Sequence, residues 1–245
     1  MRRLLAIPAL MAVVLLVPAT SALASGVNLS WDDCGIHGTV NKAFACNTNT
    51  FEGVIIGSFQ PTYGPFELTS LSARVDLQSG GSALPAWWQF KNTGSCRQSA
   101  MIASANFTTG TYSCEDPWLG QASGGLSSYI TNRWGDPRRV HMDIIFALPS
   151  TMPTHIESPN EYLGFMLKIS GAKTVGTGAC PGCATPVCIV WNWLGLSGTN
   201  STYIHTSYTL DHNYVTWQGG TVVGGCPAAT PASNRTWGSL KSLYN

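Results

Sequence analysis

The sequence predicts an all-β fold, an antiparallel β-sandwich or jelly roll stapled by disulfides. Three observations carry this prediction. Apolar residues alternate with polar ones at a period of two, runs of Gly, Pro, Asn and Ser separate the alternating stretches, and all eight cysteines follow a segment with the features of an export signal. The body of the chain shows neither a strong helical period nor alternating strand and helix patterns, which argues against a parallel α/β architecture.

The clearest strand covers residues 71–78. Leu71, Ala73, Val75 and Leu77 share one face, and Ser72, Arg74, Asp76 and Gln78 share the other. Residues 140–148 repeat the pattern, with Val140, Met142, Ile144, Phe146 and Leu148 opposite His141, Asp143, Ile145 and Ala147. A third run passes through Leu163, Phe165, Leu167 and Ile169. Shorter candidate strands lie at 52–60, 87–90, 101–107, 187–192, 203–210 and 214–217. The stretch 118–134, with Gly124-Gly125 inside it, reads as a long surface loop.

The N-terminus carries Met1-Arg2-Arg3, an uncharged apolar stretch over 4–17 and a small-x-small site at Ala22-Leu23-Ala24, so residues 1–24 are predicted to be a removed signal peptide. No later segment is long and apolar enough to span a bilayer, and Ser25 in place of Cys argues against a lipid anchor. Residues 25–226 are then the sandwich domain, 227–235 a linker and 236–245 a tail, with Trp237, Leu240 and either Leu243 or Tyr244 on one face of a possible short helix. The expected location is secreted, periplasmic or cell-surface. Without Arg2 and Arg3 the chain has 11 Lys and Arg against 12 Asp and Glu, and no basic stripe. Nucleic acid and anionic membranes, which are bound through clustered cations, are therefore excluded as expected partners.

An even number of cysteines in an exported chain predicts four disulfides among Cys34, Cys46, Cys96, Cys114, Cys180, Cys183, Cys188 and Cys226. Sequence proximity favours Cys34 with Cys46 and Cys96 with Cys114. It also favours one short bridge within Cys180, Cys183 and Cys188, and one from Cys226 to the remaining member. The Cys180-Pro181-Gly182-Cys183 spacing matches redox and zinc sites, but it precedes a strand rather than opening a helix, so a structural role is expected.

Leu29-Ser30-Trp31-Asp32-Asp33-Cys34, Trp87-Trp88-Gln89-Phe90, the 180–188 cysteine segment and the 236–244 tail together resemble a group of uncharacterised exported bacterial proteins. The resemblance spans nearly the whole mature chain and implies a bacterial envelope or extracellular setting. The group has no assigned reaction, so it supplies no catalytic residues.

The residues themselves present no catalytic, metal or cofactor constellation. His141 and Asp143 share a strand face but lack an evident third partner. The five histidines show no metal-binding spacing, and there is no G-x-S-x-G elbow. Asp32-Asp33, Glu115-Asp116 and Glu157 with Glu161 are the nearest approach to the carboxylate pair of a glycosidase, and none alternates along a strand. Trp87, Trp88, Trp191 and Trp193 are the candidate binding residues, because an exposed indole stacks on sugar rings or anchors a protein partner. Trp191 and Trp193, two apart, are predicted to share a face. The expected function is a non-catalytic extracellular or envelope role, in binding a surface polysaccharide or another envelope protein or in structural assembly, with a glycan-acting hydrolase as the alternative. Oligomeric state is not legible.

Overall fold

The computed structural model describes residues 26–61, 65–199, 203–206 and 210–219, with the backbone alone for 203–206. The predicted signal segment, the linker, the tail and Cys226 lie outside the described residues. In chain order the strands are β1 (Gly26–Trp31), β2 (Asn41–Lys42), β3 (Glu52–Gln60), β4 (Phe66–Ser79), β5 (Met101–Ser104), β6 (Ser123–Thr131), β7 (Arg139–Ala147), β8 (Thr154–Ile156), β9 (Tyr162–Ser170), β10 (Val187–Gly198), β11 (Tyr203–Thr206) and β12 (Tyr214–Trp217). One sheet has the order β1-β3-β9-β5. The other runs β2-β12-β10-β4-β7-β6, with β8 also paired to β4 and β11 to β10. All these pairings are antiparallel except the short β12–β2 contact.

The alternation read from the sequence places the core between the two sheets. Leu71, Val75 and Leu77 of β4 and Val140, Met142 and Ile144 of β7 are fully buried, and so are Ile55, Phe165 and Leu167 of the opposite sheet. Across the interface the rings of Phe165 and Trp191 meet edge to face at 4.8 Å. Each such large side chain contributes about 1.5–3 kcal/mol by leaving water. The fold is the expected all-β sandwich.

Several elements depart from the sequence reading: β1, β2 and β8 fall on stretches with no predicted strand, and β4 begins at Phe66 rather than at 71. Residues 86–88 form a 3-10 turn, not a strand, and both Trp87 and Trp88 are buried in it. β6 occupies the middle of the predicted 118–134 loop. Its Ser- and Gly-rich sequence hides the alternation, yet glycine is required: Gly124 has φ +140°, and a Cβ there would meet the Ile145 carbonyl at 2.0 Å. β10 extends to Gly198, well beyond the predicted 192.

The cysteine pairing is also corrected. The bridges are Cys34–Cys114, Cys46–Cys183 and Cys96–Cys180, and Cys188 is disulfide-bonded as well. The sandwich brings loops from distant parts of the chain together, at the start of β9 for Cys34–Cys114 and beyond its end for the other two bridges, so proximity in space replaces proximity in sequence. Cys180 and Cys183 belong to different bridges, which rules out a disulfide between them as a redox pair. They tie the 171–186 loop to the loops carrying Cys96 and Cys46. Closing loops of 80 to 137 residues restricts the unfolded chain more than the predicted hairpin bridges would. In the chain-entropy picture each such bridge taken alone contributes about 4–5 kcal/mol, against about 3 for a short loop.

Beside the Cys46–Cys183 and Cys96–Cys180 bridges lies an aromatic cluster. The Trp87, Trp88 and Trp217 rings lie 5.0 to 5.1 Å apart, and Phe44 stacks on Trp217 at 3.8 Å. Arg97 is buried within it, its guanidinium 3.5 Å from the Trp87 ring centroid. It donates to the carbonyls of Trp87 (3.0 Å) and Ser170. Burial pushes its pKa down to about 10, so it remains charged at neutral pH.

Arg97→Ala is expected to lower unfolding free energy on the order of 3 kcal/mol in chemical denaturation, by leaving two buried carbonyls unpaired and a hole against Trp87. Non-reduced peptide mapping is expected to recover the links 34–114, 46–183 and 96–180; recovery of 34–46 or 96–114 would contradict this arrangement.

Candidate functional site

The outer face of the larger sheet carries a cluster of polar and aromatic side chains on four adjacent strands, in the order β10, β4, β7, β6. On β4, Arg74 and Asp76 pair across the sheet with Asp143 and His141 of β7. Period-two alternation alone puts these four residues on the face opposite the core. The sequence displays them as two outward dipeptide patterns, Arg-x-Asp and His-x-Asp. His141 with Asp143 was legible from one strand, but the pairing that adds Asp76 was not.

Two β-bulges complete the cluster. On β10, Trp191 pairs with Val75 and Trp193 with Arg74, leaving Asn192 as the extra residue. The shift sends Trp191 into the core and Trp193 to the outer face. This corrects the expectation that the two indoles share a face. Asn192 donates its side-chain amide to Asp76 Oδ2 at 2.5 Å. On β6 the register shifts in the same way between Leu126 and Ser128, so Ser128 faces Asp143 and donates to its Oδ2 at 2.7 Å. Each bulge thus re-aims one polar side chain at a carboxylate of the cluster.

At the centre, His141 has both ring nitrogens on carboxylates, Nδ1 on Asp76 Oδ1 at 2.8 Å and Nε2 on Asp143 Oδ1 at 3.2 Å. The hydrogen bond to Asp76 raises its pKa above the ordinary 6.5, and the charges of Asp76 and Asp143 add to this; burial and Arg133 oppose it. His141 is 8% exposed.

The loop after β6 covers one side of this cluster. Trp134 is 63% exposed and adopts φ +57°, ψ +26°, beside Asn132, also left-handed at φ +55°. A left-handed conformation costs a bulky residue about 1–2 kcal/mol, and such strain concentrates at functional positions. Asp136 anchors the loop by accepting hydrogen bonds from Arg138 Nε (3.0 Å) and Nη2 (2.9 Å), which hold its carboxyl below the usual range. Trp134 lies 5.0 Å from the Arg133 guanidinium and 5.9 Å from that of Arg139. Opposite, Arg74 lies over the Trp193 ring at 4.6 Å. Between them is an open cleft of about 550 Å³ lined by Arg74, Asp76, His141, Asp143, Trp134 and Trp193, among others.

Of the four tryptophans proposed for binding, Trp87, Trp88 and Trp191 are core residues, at most 1% exposed. Only Trp193 reaches the cleft. Trp134, Arg133, Arg74 and Asn192 were not singled out. A tryptophan within an Asn-Arg-Trp-Gly-Asp-Pro turn was the available signal for the loop. Among the described residues no group of three His, Cys, Asp or Glu could hold a metal ion, and no helix is long and apolar enough to cross a membrane.

Because the folded-state pKa of His141 is raised, its contribution to stability is fully present below pH 6.5 and is lost as pH rises through the higher folded value. Denaturation midpoints of the wild type minus those of His141→Gln are expected to be largest on the acid side and to shrink as pH rises through that value; a difference independent of pH would contradict the proton-linked pair.

No protein-family model matches the sequence, and no curated protein matches it. Among solved structures, the chain is similar to the second type II cohesin module from the cellulosomal adaptor ScaA scaffoldin of Acetivibrio cellulolyticus, at 9% identity, over 77% of this chain and 94% of that chain, with a TM-score of 0.30.

Proposed function

We propose that this chain is an exported, non-catalytic glycan-binding module of the cell envelope or extracellular space, and that the cleft between Trp134 and Trp193 is its binding site. The observation that carries the reading is Trp134, an exposed indole held in a left-handed turn beside a cleft floored by hydrogen-bonding groups. Sugars present apolar ring faces edged with hydroxyls. An indole takes the face, and carboxylates, amides and guanidinium groups take the hydroxyls. The disulfides and the N-terminal signal features support an oxidising, exported setting.

Binding is favoured over hydrolysis by the hydrogen bonding of the two carboxylates. Glycoside hydrolysis needs one protonated carboxyl free to reach the leaving oxygen and a second carboxylate free to act as base or nucleophile. Here Asp76 is held by His141 and Asn192, and Asp143 by His141 and Ser128. His141 in turn has no ring nitrogen left to offer a substrate.

The test is depletion of the mature protein from solution by a panel of immobilised polysaccharides, with reducing ends assayed in the supernatant. The expected result is retention without sugar release, weakened at least tenfold in Trp134→Ala and in Trp193→Ala while the thermal midpoint is kept. Release of sugar that disappears in Asp76→Asn or Asp143→Asn would replace binding with hydrolysis. Retention unchanged in both tryptophan variants would move the site elsewhere.

A further inference from the structure

The cleft does not end at the tryptophans. A second depression of about 350 Å³ shares Arg74, Asp143 and Trp193 with it and continues to Ser72 and Ile145. A third, of about 410 Å³, lies further along the same strands at Ser70, Ala147 and Gly198. The register places these residues in one line, since Ser72 pairs with Ile145 and with Gly195, and Ser70 with Ala147 and with Ser197. From Asp76 to Ser70 the groove follows about 20 Å of β4, more than one sugar unit occupies.

Charge along this groove is uneven. The tryptophan end holds Arg74, Arg133 and Arg139 against Asp76 and Asp143, with His141 between the two carboxylates. Asp136 lies beside it, already engaged by Arg138 and Arg139. Arg74 reaches Asp143 only at 3.8 Å. Arg133 lines the cleft and, among the described residues, makes no ion pair or hydrogen bond to a carboxylate, so its charge is left for a partner of opposite sign. A guanidinium lying along an indole keeps its in-plane N–H groups available, the geometry that receives a carboxylate. The far end offers only Ser, Thr, Ala, Leu and Gly.

Resting on the glycan reading above, we infer that the ligand is a linear acidic polysaccharide: a carboxylate-bearing unit is held at Arg133 and Arg74 between the two tryptophans, and the following units run along Ser72 and Ser70.

The experiment measures affinity of the mature protein for polygalacturonate, alginate and hyaluronan, and for the same polymers after chemical reduction of their carboxyl groups to alcohols. Oligogalacturonides of two to six units are titrated in parallel. The expected results are at least a tenfold loss on carboxyl reduction, a similar loss in Arg133→Gln with acidic polymer, and affinity that rises with chain length beyond the disaccharide. In Ser70→Tyr that rise is expected to stop early. Equal binding of native and reduced polymers, or full affinity already in the disaccharide, overturns the inference. If Trp134→Ala abolishes binding while carboxyl reduction changes nothing, the glycan reading stands and this one falls. If no polysaccharide is retained, both fall.

Discussion

The contact on which most of this fold depends is a buried cation against an indole. Arg97 is almost fully buried and lies 3.5 Å from the Trp87 ring, with hydrogen bonds to carbonyls at 87 and 170. Two of its guanidinium nitrogens are met by carbonyls and its face is covered by the indole, which offsets the cost of a charge in low dielectric, while Nε has no hydrogen-bond partner among the described residues. These contacts fix the 3-10 turn at 86–88 relative to the end of β9. Trp87 passes the constraint on, through its Nε1–H to Thr174 at 3.0 Å and through ring contacts to Trp88 and Trp217. The loops that carry Cys46, Cys96, Cys180 and Cys183 are thus packed on a single aromatic plug.

At the opposite extreme of exposure, the outer face of the larger sheet uses the same residue types differently. There the arginines lie along indoles within reach of solvent, and the carboxylates are spaced by a histidine. The difference between plug and cleft is one of burial: Trp87 and Trp134 are the same side chain, one with every contact filled and the other with an open face. Two bulges on opposite flanks of the site give it side chains that a regular ladder would have turned inward. Asn192 and Ser127 each add one residue to a strand, and the ladder is interrupted only where the polar network needs it.

Much of the fold was legible because burial on one face forces alternation. β3, β7, β9 and β12 were read within one residue of their ends, and their apolar faces do line the core. β6 was not legible, since its glycines and serines serve backbone approach to β7 rather than packing. The disulfide pattern was illegible for a different reason: pairing is decided by which loops meet in the folded sandwich, and that is a property of the topology. For the site, alternation announced that Arg74, Asp76, His141 and Asp143 face outward, but the neighbouring of β4 and β7 is a long-range fact. The bulge at Asn192 reversed the reading of Trp193 relative to Trp191, since a single inserted residue flips every side chain beyond it.

The bridges have an order in the chain that bears on how the molecule is made. Cys34 and Cys46 are the first thiols to arrive in any N-terminus-first delivery, yet their partners come 80 and 137 residues later. While they wait, they lie closest to each other, and after them Cys96 precedes Cys114 by only 18 positions. Oxidation in order of arrival therefore makes the wrong bonds first. With an oxidant alone, mispaired chains are the expected product of such an order, and exchange through a thiol able to reopen early bridges is the route from them to the native links.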